Sequence, residues 1–314
     1  LGKLVATRDA YGEVLVELGR ENEDIVVLDA DLSKSTKTAG FAKAFPDRFF
    51  NMGIAEQNLM GTAAGLSLGG KIPFASTFAI FAAGRAFEQI RNTIAYPKLN
   101  VKIAASHAGL TVGEDGASHQ SVEDIALMRS LPNMTVLVPT DAAETKQAVR
   151  AAAALRGPVY IRLGRPGVPA VFSDDYAYQI GKAVVLREGS DAAILATGIM
   201  VSAALAAADL LAPAGIAVSV AAVHTIKPLD TAAIVDLARR TGALVTAEEH
   251  SIIGGLGSAV AEAVTGEYPV PLVRVGIKDT FGESGLPEEL LAAYGLDAPA
   301  IATAVRQAIK LKRK

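Results

Sequence analysis

Short apolar runs alternate with longer segments of helical periodicity along this chain. Ile25-Val-Val-Leu28, Val101-Lys-Ile-Ala-Ala105, Thr135-Val-Leu-Val138 and Val159-Tyr-Ile-Arg-Leu163 are brief and mostly apolar, which predicts buried strands. Between them, Asn58 to Leu68 carries apolar residues at helical spacing and closes on Gly69-Gly70. Asp141 opens an alanine-rich helix with Glu144 three residues on, the spacing of a capping pair. This alternation predicts an α/β fold with a largely parallel sheet. Gly164-Arg-Pro-Gly-Val-Pro169 breaks the pattern, and an irregular polar stretch runs on to Gln179. The pattern then resumes, with expected strands at Ala192–Ala196, Ala217–Val223 and Ala243–Thr246 and helices around Val201–Leu211 and Thr231–Arg240. Two α/β units are expected, 1–180 and a smaller 181–314.

The chain has 314 residues, 51% of them apolar, enough for two cores. Its 30 basic and 33 acidic side chains leave a net charge of −3, which argues against nucleic acid or an anionic membrane as the main partner. A local basic site for small anions remains open. There is no cysteine, which excludes disulfides, thiolate chemistry and Cys-based zinc sites. Leu1-Gly-Lys-Leu-Val-Ala lacks the basic, apolar and cleavage pattern of a signal peptide. The most membrane-like stretch, Ala192 to Ala208, is interrupted by Thr197, Gly198 and Ser202, and a strand, turn and helix explain it better than a membrane span. A cytoplasmic protein is expected.

Four places carry candidate chemistry. Glu56 sits just before an apolar helix; it is either a first-turn acid favoured by the helix dipole or a buried carboxylate placed to share a proton with a bound heterocycle. Phe78 and Phe81, three apart, share a face on a helix or tight turn and are either core or an aromatic wall for a ring. The segment 106–120 holds two of the four histidines, His107 and His119, with Glu114, Asp115 and the glycines 109, 113 and 116, the composition of a loop that approaches a ligand closely. It does not have the His-Glu-x-x-His spacing of a zinc helix. Arg8 and Arg165, with His107, are suited to cradling a phosphate. Gly254-Gly-Leu-Gly-Ser258 lacks the further features of a nucleotide loop and reads as a turn into a helix.

Taken in order, Ile54-Ala-Glu-Gln-Asn58, Ser76-Thr-Phe-Ala-Ile-Phe81, Ser106-His-Ala-Gly-Leu-Thr-Val-Gly-Glu-Asp-Gly116, Ile161-Arg-Leu-Gly-Arg-Pro166 and Thr225-Ile-Lys-Pro-Leu-Asp230 resemble the C-terminal half of transketolase, from Thr7 to the final helix. The resemblance implies a pyrimidine-binding α/β domain followed by the smaller transketolase C-terminal domain. It implies thiamine diphosphate as cofactor, with Mg2+ or Ca2+. The Gly-Asp-Gly…Asn signature of the metal- and diphosphate-binding domain is absent from this sequence, so no metal ligand is expected here and those ligands fall to a partner chain. An N-terminal transketolase subunit is the expected partner, in an α2β2 heterotetramer; the alternative is that the missing domain belongs to the same polypeptide and is truncated from this sequence.

By the same resemblance, Glu56 pairs with the pyrimidine nitrogen, Phe78 and Phe81 form the pyrimidine pocket, and Asp31 lies near the thiazolium. His119 assists proton transfer or polarises the substrate carbonyl, Asp115 binds a sugar hydroxyl, and Arg8, Ser35, His107 and Arg165 bind the substrate phosphate. The implied reaction moves a two-carbon ketol unit from a ketose phosphate to an aldose phosphate. One departure falls between Phe81 and Arg85, where the spacing differs by a residue from some relatives and Gly84 stands where certain transketolases carry a tyrosine. Deoxyxylulose-phosphate synthase, a 2-oxoacid dehydrogenase β subunit and a non-catalytic regulatory subunit are the alternatives. Gly113-Glu-Asp-Gly116 and Ile54-Ala-Glu-Gln-Asn58 look more like transketolase.

Overall fold

The computed structural model describes residues 4–312; the first three residues of the segment read for a leader, and the last two of the second unit, lie outside the described residues. The first sheet has seven strands, in spatial order Thr225–Lys227, Thr135–Leu137, Val159–Arg162, Lys102–Ser106, Ile72–Phe78, Ile25–Asp29 and Phe49–Asn51. All run parallel except Thr225–Lys227, which is antiparallel to Thr135–Leu137. Ile25–Asp29, Lys102–Ser106 and Val159–Arg162 are buried at every position, because helices cover both faces of a parallel sheet. Tyr11, Leu15, Phe74, Val149 and Ile161 pack one face against the helices Thr7–Glu21 and Ala142–Ala154. Leu59, Met60 and Ile103 pack the other face against Glu56–Leu68, and this core continues into the second sheet at Leu195 and Ala221.

The second sheet has five strands in the order Leu272–Ile277, Leu244–Ser251, Ala192–Ala196, Val218–Ala222 and Val184–Arg187, of which only the last pairs antiparallel. No helix or strand lies between Val168 and Val184, and a division at 180/181 is proposed within that stretch. Asp141 ties this linker down. Its Oδ1 accepts from Glu144 N at 2.9 Å, as a helix cap should, while its Oδ2 accepts from Val171 N and Phe172 N at 2.6 and 2.8 Å. Glu144 reaches back to Thr140 N at 2.7 Å, one residue earlier than in a standard capping box. Among the described residues no helix is long and apolar enough to cross a membrane.

One buried charge is structural. The Lys102 side chain is fully buried, and its Nζ donates to Asn100 Oδ1, Leu155 O and Gly157 O at 2.7, 2.6 and 2.8 Å. Burial pulls this ammonium down to about 7. The group gathers the carbonyls that follow the Ala142–Ala154 helix, where positive charge is favoured. Lys102→Met keeps the bulk and strands those oxygens. It is expected to lower unfolding stability by about 1–3 kcal/mol, read as a shifted urea midpoint with unchanged slope.

Candidate active site

The candidate residues converge beyond the carboxyl ends of the first sheet. From Ile25–Asp29 the chain moves to one neighbour, Phe49–Asn51, and then to the other, Ile72–Phe78, so the direction of winding reverses between the strands that lead to Asp31 and end at Phe78. Such a reversal opens a crevice where ligands bind in α/β sheets. Lys102–Ser106 delivers His107 to the same end, and Val159–Arg162 delivers Arg165.

Glu56 is the first residue of its helix and only 2% exposed. Its Oε1 accepts from Arg85 Nη1 at 2.8 Å. The same guanidinium lies over the Phe81 ring, 4.4 Å from Cζ to centroid. Phe81 and Phe78 stack at 5.7 Å and 18°. Phe78 ends a strand, and Phe81 starts a π-helical turn, Phe81–Arg85. The departure in spacing expected between Phe81 and Arg85 falls on this π turn, a form that a helix takes when it absorbs one extra residue. Gly84 is exposed, and a Cβ there would meet Ile80 Cδ1 at 3.5 Å, an ordinary contact. His119 sets its ring edge against Phe81 at 5.4 Å and Phe78 at 6.2 Å, and its Nδ1 is 3.0 Å from Ser118 Oγ.

The opposite side of Phe78 stacks on His107 at 3.8 Å. His107 is 3% exposed, with Nε2 3.1 Å from Arg8 Nη1 and Nδ1 2.9 Å from Ser106 Oγ. Arginine can only donate, so Nε2 accepts and Nδ1 carries the proton towards Ser106. Burial, with the positive charges of Arg8 and Arg165 nearby, pushes His107 down to about 3, so the ring is neutral at physiological pH. Arg8 also donates to the main-chain oxygen of Ser35 at 3.0 Å, and its buried Nε has no partner. Arg165 donates to Val112 O and, at 3.0 Å, to Asp115 Oδ2. A cavity of about 270 Å³ lies between Arg8, Arg165 and the 111–114 turn.

Arg8, the Ser35 carbonyl, His107, Phe78, Phe81 and His119 thus form one contiguous set, with Glu56 joined through Arg85 and Asp115 through Arg165. Asp31 stands apart from these contacts. It is exposed, has a positive φ of 63° and accepts from Asn51 Nδ2 at 2.9 Å. Its turn is held by Asp29, whose buried carboxylate accepts from Leu32 N, Thr36 Oγ1 and Thr38 Oγ1 at 2.6, 2.6 and 2.9 Å; burial raises the Asp29 carboxyl. Sequence reading singled out neither Asp29 nor Arg85 for a role. An acid closing an otherwise apolar strand was the available signal for Asp29. Arg85 pairs across 29 residues and had none. Among the described residues, no three His, Asp or Glu side chains are grouped to hold a metal ion.

The chain matches two family models, the transketolase pyrimidine binding domain over residues 3–170 and the transketolase C-terminal domain over residues 181–301. It is 52% identical over 306 residues to a putative transketolase C-terminal section from Methanocaldococcus jannaschii, covering 96% of each chain. It is 40% identical over 310 residues to human transketolase, covering 98% of this chain but 49% of the human one. A solved structure described as a split gene transketolase, inactive beta4 tetramer, superposes with a TM-score of 0.93 at 64% identity, over 98% of this chain and 100% of that one. This chain belongs to the transketolase family.

Proposed function

We propose that this chain is the pyrimidine-binding subunit of a split, thiamine-diphosphate-dependent transketolase that transfers a two-carbon ketol unit between sugar phosphates. The observation that carries the reading is Glu56. A carboxylate buried to 2% at a helix start beside a stacked pair of aromatic rings, with a half-exposed and displaceable arginine as its partner, fits the aminopyrimidine end of that cofactor. When bound, the cofactor supplies a nucleophilic carbon and an electron sink.

The residues of this chain have the following roles in that reading. Glu56 holds a proton at a pyrimidine nitrogen. Phe78 and Phe81 stack the ring and exclude water from one side. His119, edge-on to both, moves a proton at a substrate hydroxyl or carbonyl. Asp115 accepts from a sugar hydroxyl, and Asp31 lies towards the thiazolium. Arg8 and Arg165 hold the phosphate, with His107 kept neutral and oriented by Ser106 beside them. The metal and the diphosphate are assigned to an N-terminal subunit, in an α2β2 assembly. The inactive tetramer described for the 64%-identical relative supports the view that this half alone is insufficient.

The test is ketol transfer from xylulose 5-phosphate to ribose 5-phosphate with thiamine diphosphate and magnesium. Activity is expected only when a diphosphate-binding chain is added. Activity of this chain alone would refute the split, and transfer from pyruvate instead would move the enzyme to another branch of the same cofactor class.

A further inference from the structure

The loop that carries His107, Asp115 and His119 is built from the first unit, yet much of its support comes from the second. Glu249, on the Leu244–Ser251 strand and 3% exposed, accepts from Thr111 N with Oε1 at 2.7 Å. Gly109 lies flat against the same carboxyl group, with φ +83°. A Cβ there would sit 2.2 Å from the Glu249 carboxyl carbon, so the loop can rest on this acid only as glycine. A second line of contacts comes from residues 283–287. Gln120 Nε2 donates to Glu283 O at 2.9 Å and, within the loop, to Leu110 O at 3.1 Å. A Cβ on Gly116 would meet Ser284 Oγ at 2.5 Å, and one on Gly113 would meet Gly285 O at 3.3 Å. Leu286 and Pro287 complete the wall of the cavity formed by Arg8, Arg165 and the 111–114 turn.

A buried carboxylate is costly unless something compensates it. Arg162, 7% exposed, does so from the first sheet. Its Nη1 is 4.0 Å from Glu249 Oε2, its Nη2 donates to Glu249 O at 2.9 Å, and its Nε donates to Asp124 Oδ2 at 2.9 Å. Burial pushes the Glu249 carboxyl up to about 6, with Arg162 and the Thr111 N–H opposing the rise, so the acid is mostly ionised at neutral pH. The arrangement is more specific than packing alone requires. A charged acceptor from one unit is aimed at a single backbone N–H in the turn of the other, and a glycine is placed to let the two meet.

We propose that Glu249 is a positioning residue for the substrate, through which the second unit holds the 109–116 turn and so sets the affinity for phosphorylated sugars. Asp115 and the Val112 carbonyl that fastens Arg165 both ride on this turn. A change in its shape therefore moves the hydroxyl contact and the phosphate contact together, while Glu56 and its aromatic pair, built on other elements, stay in place. The inference rests on reading this loop as the sugar-phosphate loop.

The test has two arms. In the isolated chain, Glu249→Ala is expected to speed hydrogen exchange at the Thr111 amide by about 10- to 100-fold, while Glu249→Gln, which keeps an acceptor oxygen, restores most of the protection. In the complex with its diphosphate-binding partner, Glu249→Ala is expected to raise KM for the phosphorylated donor by about tenfold with kcat nearly unchanged. Should Glu249→Ala fail to fold because Arg162 loses compensation, Gly109→Ala disturbs the same contact from the loop side while keeping the Glu249 carboxylate in the protein and the Arg162 bonds to Asp124 and the Glu249 carbonyl. Thr111 exchange unchanged in every variant would overturn the clamp. Loss of protection spread over the whole chain would reduce Glu249 to a folding residue. A loosened turn with unchanged KM would leave the clamp standing and overturn the assignment of this loop to sugar phosphates.

Discussion

Replacing Glu56 with alanine is expected to lower turnover of the complete enzyme by about 10²–10⁴-fold, the range for a positioned acid–base group, and to leave the fold intact. The fold should survive because of where Glu56 stands. Its carboxylate occupies a helix start, a contribution of about 0.3–1 kcal/mol, and its partner Arg85 is half exposed and can turn to water when the acid is gone. Turnover should collapse because, among the described residues, Glu56 is the acid bonded to the guanidinium that lies over the aromatic pair. Glu56→Gln separates the two parts of the role. It retains a hydrogen-bonding oxygen but cannot exchange a proton as a carboxylic acid does, so it should be nearly as slow as alanine while binding the cofactor better. Turnover unchanged in Glu56→Ala, with cofactor bound, would remove this residue from the chemistry. A fall in thermal stability matching the loss of rate would make it a structural acid.

Ile25–Asp29, Lys102–Ser106 and Ala192–Ala196 were legible because a parallel sheet buries them on both faces, so each appears as a mostly apolar run; Ile72–Phe78, buried in the same sheet as the first two, was not read as a strand, because Pro73, Ser76 and Thr77 break its apolar run. Lys102 interrupts one such run and is still buried, since three oxygens receive it. Val184–Arg187 and Leu272–Ile277 were missed for the complementary reason. They lie at the edges of the second sheet and are only partly buried, and Arg274 and Gly276 break the apolar pattern of the latter. The return of Thr225–Lys227 to the first sheet could not be read locally, because its pairing with Thr135–Leu137 spans about ninety residues and depends on the packing of both units. The site followed the same division. Phe78 and Phe81 were expected to share a face and do, but through a strand end and a π turn rather than through helical spacing. Arg8 meets His107 and the main-chain carbonyl of Ser35 in the folded chain, while the pairings of Arg85 with Glu56 and of Arg165 with Asp115 join positions too distant along the chain to be matched from the sequence.

Arg165→Ala is expected to raise KM for phosphorylated substrates by about 10- to 100-fold, corresponding to the roughly 1.5–3 kcal/mol of a charge-assisted hydrogen bond, with a much smaller effect on an unphosphorylated donor. The pairing with Asp115 does not oppose this assignment. Both side chains are more than a third exposed, and an ion pair of that kind contributes about 0–1 kcal/mol. A phosphate offers the guanidinium a doubly charged, two-toothed acceptor, so exchanging Asp115 for phosphate is favourable, and it frees the carboxylate to accept from a sugar hydroxyl. Arg8 differs in kind. It is fastened to Ser35 O and His107 Nε2, and its Nε is buried without a partner, so it presents a fixed charge where Arg165 presents a movable one. Salt provides an independent check. The KM increase between low and moderate ionic strength should be steeper in the wild type than in Arg165→Ala, because the variant has lost one of the charges being screened. Equal losses with phosphorylated and unphosphorylated donors would instead place Arg165 in support of the 111–114 turn through Val112 O, and the phosphate contact would then rest on Arg8 alone.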